Sequence, residues 1–141
     1  MQYKKFKKNI ILRLDPLDEI CACLIKLAEE EDIQLASISG LGAINDFTTG
    51  VFDTKNKEYH SNHFQGAYEI TSLTGTLTRM DGKPYLHVHL SAGDAKGVVV
   101  GGHLNRAVVS ATAEIIVRII KGEVERKYSP EIGLNLFEFS E

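Results

Sequence analysis

Three of the chain's five histidines, His87, His89 and His103, fall in the stretch LHVHLSAGDAKGVVVGGHL, residues 86–104. Three neutral imidazoles are a ligand set that holds Zn²⁺ in catalytic sites and leaves a fourth position open for water or substrate. Cobalt, nickel, copper and iron accept the same donors, so the ligands do not fix the metal. In YLHVHLS, Leu86, Val88 and Leu90 point one way, and Tyr85, His87, His89 and Ser91 the other. The apolar set belongs to the core, so both histidines share the opposite face. A hairpin regular about Ala95 sets His87 opposite His103 and His89 opposite Gly101, with facing Cβ atoms about 4.5–5.5 Å apart. Gly101 and Gly102 then leave room beside the rings. A one-residue bulge would turn His103 to the other face. The competing reading is a polar strand face whose histidines hydrogen-bond or meet a neighbouring subunit.

A metal enzyme also needs an acid or base near the open position. Glu69 in GAYEI and Glu114 in SATAEII lie inside strand-like apolar runs, unusual places for solvated acids. Either is a candidate acid/base, or a structural partner for Arg79, Arg106 or Arg118. His60 and His63, in YHSNHF, read as loop histidines on the surface. Cys21 and Cys23 sit about 200° apart around a predicted helix and do not bridge each other. The Ser-Gly-Leu-Gly-Ala run at 39–43 has no following Gly-Lys-Ser/Thr and no helix start, so it reads as a strand connection.

The elements that must hold these residues are mostly strands. Phe6 to Leu14 is the first. Asp15 then caps a helix with Pro16 in its first turn, and Leu17, Ile20, Cys21, Leu24 and Ala28 form one apolar face. Strands are predicted over 33–39, 44–53, 58–60, 68–80, 85–91, 98–102 and 107–120, with edges at 124–128 and 134–139. Turns fall at 54–57 and at Asp81-Gly82. The pattern gives an α+β fold: a largely antiparallel sheet of about seven or more strands, one main helix on one face, and a single domain over 1–141. One helix leaves much of the sheet uncovered, so self-association is expected.

The net charge of −3 is unevenly spread. Lys4, Lys5, Lys7 and Lys8 form a basic arm within residues 1–8; the remaining 12 basic and 19 acidic residues give a body of −7. That body repels a duplex, and the arm alone offers phosphate contacts. No run approaches the roughly 20 apolar residues of a membrane span. With no signal-like start and two unpaired cysteines, a cytoplasmic protein is expected.

Four blocks in order, SGLGAINDFTTGVFD, GAYEITSLTGTL, DGKPYLHVHLS and GVVVGGHLNRAVVSATAEI, resemble the Plants and Prokaryotes Conserved (PPC) domain family. The likeness runs from about Lys8 to Ile120. It implies an α+β domain that forms a homotrimer. In prokaryotic members it also implies a His-x-His and Gly-Gly-His pattern, matched here by His87, His89 and His103. Plant members carry a preceding AT-hook, the basis of the family's DNA-binding label; the Lys4–Lys8 arm lacks its Gly-Arg-Pro core. The fold is also similar to that of acetolactate decarboxylase, a zinc lyase with three histidines. Three functions follow as expectations. The first is a homotrimer holding a divalent metal, zinc foremost, that acts on or senses a small molecule at a pocket shared between subunits. If that protein is an enzyme, it is a metal-dependent lyase or hydrolase using Glu69 or Glu114. The second is a DNA-associated regulator using the four lysines. The third is a non-catalytic trimeric scaffold.

Overall fold

Period-two burial of Ile, Leu and Val drives long strands here, and only one segment has the 3.6-residue period of a helix. The computed structural model describes residues 1–139. In chain order the elements are β1 (Gln2–Phe6), β2 (Asn9–Leu14), α1 (Ile20–Glu30), β3 (Ala36–Asp53), β4 (Glu58–Met80), β5 (Lys83–Gly93), β6 (Val99–Ile119), β7 (Glu125–Ser129) and β8 (Leu134–Glu138). All pairings between these strands are antiparallel, in sheet order β1-β2-β6-β3-β4-β5, with β7 and β8 forming a separate hairpin. The fold is α+β, as the sequence pattern predicts.

Several predicted strand pairs are single long strands. The segments 33–39 and 44–53 merge into β3, whose register slips between Gly40 and Gly42 and again between Ile44 and Asp46. Such bulges bend a strand and increase its twist. The bent strands let β5 pair with β6 as well as β4, so β3, β4, β5 and β6 close into a ring. Glycines permit the tight contacts of that ring. A Cβ at Gly75 would collide with the His87 carbonyl oxygen, and one at Gly101 with the Leu90 carbonyl oxygen.

The core lies between the sheet and α1. Ile10, Leu12 and Leu14 of β2, Val88, Leu90 and Ala92 of β5, and Ala113, Ile115 and Val117 of β6 are all buried, as are Ile20, Leu24, Leu27 and Ala28 of α1. Burying each large aliphatic side chain contributes about 1.5–3 kcal/mol. That burial fixes which way β5 faces, and therefore where its alternate residues point.

The helix starts later than the sequence predicts. Asp15 is not its cap and Pro16 is not in its first turn. Leu17 N–H donates to the Val109 carbonyl and Val109 N–H to the Asp18 carbonyl (both 3.0 Å), which stitches this stretch to β6 before any helix can begin. Glu19 is the N-cap instead; its carboxylate accepts from Cys21 N–H (3.0 Å) and Ala22 N–H (2.7 Å), and also from Ala107 N–H of β6 (3.0 Å). The basic arm is also ordered: Gln2 to Phe6 pairs along β2, and Lys5 reaches Glu31 at 2.6 Å. Glu19→Ala removes a cap and a helix-to-sheet bond together, so it should cost about 1–2 kcal/mol in denaturant unfolding. Asp15→Ala, which loses an exposed ion pair with Arg13, should cost under about 1 kcal/mol. The reverse order would return the cap to Asp15.

Candidate metal centre

Core packing of Val88 and Leu90 turns His87 and His89 outward, and β6 supplies the third ring. The turn that joins β5 to β6 decides the register. Asp94 Oδ1 accepts from Lys96 N–H (2.8 Å) and Val98 N–H (2.9 Å), and Asp94 N–H donates to the Val98 carbonyl (3.0 Å). This loop sets Gly93 opposite Val99, which places His89 opposite His103 and Ser91 opposite Gly101. The predicted facing of His87 with His103 is thus displaced by two residues. A two-residue shift preserves the face, so all three imidazoles still stand together.

Ring centroids are 5.1 Å apart for His87–His89, 5.2 Å for His87–His103 and 5.8 Å for His89–His103. One ring nitrogen from each lies within 4.8 Å of the other two. Tetrahedral zinc with Zn–N of about 2.0–2.1 Å spaces its donors about 3.3 Å apart. The nitrogens thus share a space of the size one ion needs, and three imidazoles are a donor set that suits it. His87 and His103 are half-buried and His89 is exposed. Burial, then the neighbouring His103, Arg126 and His89, push the His87 pKa down to about 4. Burial, then His89, lowers that of His103. Both rings therefore favour the neutral form, which is the form that coordinates metal.

The histidines line a cavity of about 720 Å³. Tyr59 and Tyr85 border it, Val51, Phe52, Leu134, Leu136 and Phe137 give it apolar walls, and Arg126 is part of its lining. Arg126 is only 8% exposed. Its Nε donates to Thr78 Oγ1 (2.9 Å), Nη1 to the Asn135 carbonyl (2.9 Å) and Nη2 to Thr76 Oγ1 (3.3 Å). The guanidinium lies 4.5 Å from the Tyr85 ring centre and 4.4 Å from that of Phe137. Sequence reading missed this residue. In EVERKYS it looks like an edge-strand charge, and only the packing of the β7–β8 hairpin onto β4 shows where it goes.

The two candidate acids lie elsewhere. Glu69 is exposed on β4, paired across the sheet with Ala43 and Gly93, and it borders a separate cavity of about 250 Å³. Glu114 is exposed on β6 opposite Arg13 and Leu41. Neither lines the histidine cavity. Of the arginines considered as their partners, Arg79 pairs with Asp32 (3.0 Å) and Arg106 with Asp46 (2.8 Å). His60 and His63 are on β4 rather than in a loop, because β4 runs unbroken past them; both are exposed, and His63 bonds Asp46 at 2.9 Å. Cys21 is free, its thiol pushed up to about 12, chiefly by burial. Lys4, Lys5, Lys7 and Lys8 are exposed on the β1–β2 hairpin, Lys4 lying over the Phe6 ring at 5.3 Å.

Comparison with known proteins adds the following. The model of the family described as the Plants and Prokaryotes Conserved (PCC) domain matches residues 1–121. A structure from Bacteroides thetaiotaomicron, described as a "putative dna binding protein", is 33% identical with a TM-score of 0.95, covering 98% of this chain and 96% of that one. A structure from Archaeoglobus fulgidus, described as a metal-containing protein, is 31% identical with a TM-score of 0.87, covering 99% of each chain. A Staphylococcus aureus protein described as similar to α-acetolactate decarboxylase shares the fold alone, at 12% identity and a TM-score of 0.53 over 89% of this chain and 56% of its own. Among curated proteins, the bifunctional protein GlmU of a Synechococcus species is 32% identical over 108 residues, or 75% of this chain. The chain spans 16% of that relative's length.

The pKa directions give a prediction for metal-free protein. Unfolded His87 takes up a proton near the usual imidazole value of about 6.5, whereas folded His87 resists until about 4. Stability should therefore be unaffected by this group above that window and fall as pH drops through it. Imidazole NMR should show His87 neutral at pH 5. His87→Gln should flatten the acid loss of stability; titration of His87 at or above the usual value would contradict the burial argument.

Proposed function

The chain belongs to the Plants and Prokaryotes Conserved (PCC) domain family, and from that membership we propose a protein that holds one divalent metal ion, zinc foremost, on His87, His89 and His103. The observation that carries this reading is the convergence of three ring nitrogens within 4.8 Å at the wall of a roomy cavity. The description of the similar Archaeoglobus protein as metal-containing supports it. A bound ion would have its open positions toward the cavity, where it would polarise or activate a small molecule. If the protein is an enzyme, lyase or hydrolase chemistry fits such a site. Glu69 and Glu114 are assigned no part in it, because both stand away from the cavity; the protic groups at hand are Tyr59 and Tyr85.

The proposal includes self-association as a trimer. Ile11, Ile116 and Leu41 are exposed on the sheet face turned away from α1, with Ile11 directly opposite Ile116. An apolar row of this kind supports a subunit contact.

DNA association is the second reading, favoured by the description of the similar Bacteroides structure and the exposed lysines of the β1–β2 hairpin. With Lys5 tied to Glu31, three lysines remain for phosphates. Each contact contributes about −0.9 to the slope of log affinity on log salt, so the slope should reach only about −2.7. Deleting residues 2–8 should abolish it.

The metal reading predicts about one ion per chain in elemental analysis of protein purified without a histidine tag. His87→Ala or His103→Ala should remove more than nine-tenths of it, since two imidazoles hold zinc far more weakly than three. In the unmutated protein, zinc at about 100 times its Kd should add about 2.7 kcal/mol of stability. Full metal content in His87→Ala would contradict the assignment.

A further inference from the structure

The histidine cavity has a charge imbalance that its own residues do not resolve. Among the described residues that line it there is no Asp or Glu, yet Arg126 is part of its lining at 8% exposure. No carboxylate pairs with Arg126 among the described residues; its neighbours are two threonine hydroxyls, a backbone carbonyl and two aromatic faces. A guanidinium has five N–H donors. Among the described residues three are engaged, which leaves two for a ligand. Buried charges are ordinarily paired, and a divalent ion on three neutral imidazoles would leave its own two charges unmatched as well.

Arg126 is also set at a defined distance from the histidines. Thr76, which accepts from its Nη2, is the direct cross-strand partner of His87, and Thr78 is that of Tyr85. Tyr85, beneath the guanidinium, precedes His87 by two residues, a step of about 6.5–7 Å along a strand. A few carbon atoms span such a gap. The walls between are apolar, contributed by Phe52, Leu134 and Phe137 among others.

We propose that this cavity binds a small organic carboxylate, its carboxyl group held by the two unengaged N–H groups of Arg126 and its other end directed at the three histidines. The proposal deepens the metal reading by naming the ligand class, but its carboxylate end rests on Arg126 alone and is tested without metal. The apolar walls favour an organic acid over inorganic phosphate, which has no surface to bury there. A planar carboxylate meets a guanidinium fork with charge-assisted hydrogen bonds, roughly twice as strong as neutral ones.

The test uses the full chain freed of metal by chelation. Isobutyrate, 4-methylpentanoate and phenylacetate are titrated at millimolar concentration, each beside its amide, and followed by NMR. At least one acid should shift Phe137 and His87 resonances saturably and bind about tenfold or more tighter than its amide. Arg126→Gln should lose that preference while retaining zinc binding, measured separately. Because Arg126 also anchors the β7–β8 hairpin, Arg126→Lys and the acid-to-amide ratio in the unmutated protein guard against a folding artefact; Lys should restore part of the preference. Equal binding of acid and amide, phosphate binding as tight as the acids, or no saturable shift with any acid would overturn the proposal. Loss of zinc binding in the unmutated protein would overturn the metal reading and leave this one standing.

Discussion

The site depends on one constraint: β5 is paired with β4 along its length, with β6 from His89 onward, and is buried on one face. With β4 on one side and β6 on the other, its register cannot slip. Val88, Leu90 and Ala92 hold its inner face against the core. The outer face must then present Tyr85, His87 and His89 in a row, however that row is used. His103 joins them through the Asp94 turn, which sets it opposite His89. Glycine at 75 and 101 lets the neighbouring backbones come close enough for this double pairing. The histidine cluster is thus a product of hydrophobic burial and strand geometry acting several residues away.

Electrostatics gives the cavity its chemical character. Burial holds two of the rings toward the neutral state, so the cluster accepts a cation where three imidazolium groups would repel one. Arg126 reinforces the same bias and is itself stabilised by the faces of Tyr85 and Phe137, at about 0.5–2 kcal/mol for such stacking. Among the described residues the acidic side chains lie outside this cavity, engaged in part with Lys5, Arg79 and Arg106. The cavity thus carries one guanidinium and three imidazoles and, among its described lining residues, no carboxylate.

Much of this was legible in the sequence because period-two alternation is a local signal. It gave the outward face of His87 and His89, and a two-residue error in register left that conclusion intact. The family likeness, carried by four blocks in order, agrees with the match over residues 1–121. Long-range contacts were not legible. The helix cap passed from Asp15 to Glu19 because β6 holds Leu17 and Asp18 by backbone hydrogen bonds. Glu69 and Glu114 drew attention by sitting in apolar runs; alternation between buried Ala113 and Ile115 exposes Glu114, whereas the bulge between Ile70 and Ser72 takes Glu69 off the buried face of Leu73 and Leu77. Arg126 gave no local signal, since its partners Thr76 and Thr78 are 50 and 48 residues away.

X-ray absorption at the zinc edge of the metal-loaded chain reads the ligands of the ion itself. The expected first shell is nitrogen and oxygen at about 2.0–2.1 Å, with multiple scattering from three imidazoles that falls to two in His103→Ala held at saturating zinc. A sulfur shell at about 2.3 Å, or an imidazole count unchanged in that variant, would contradict it.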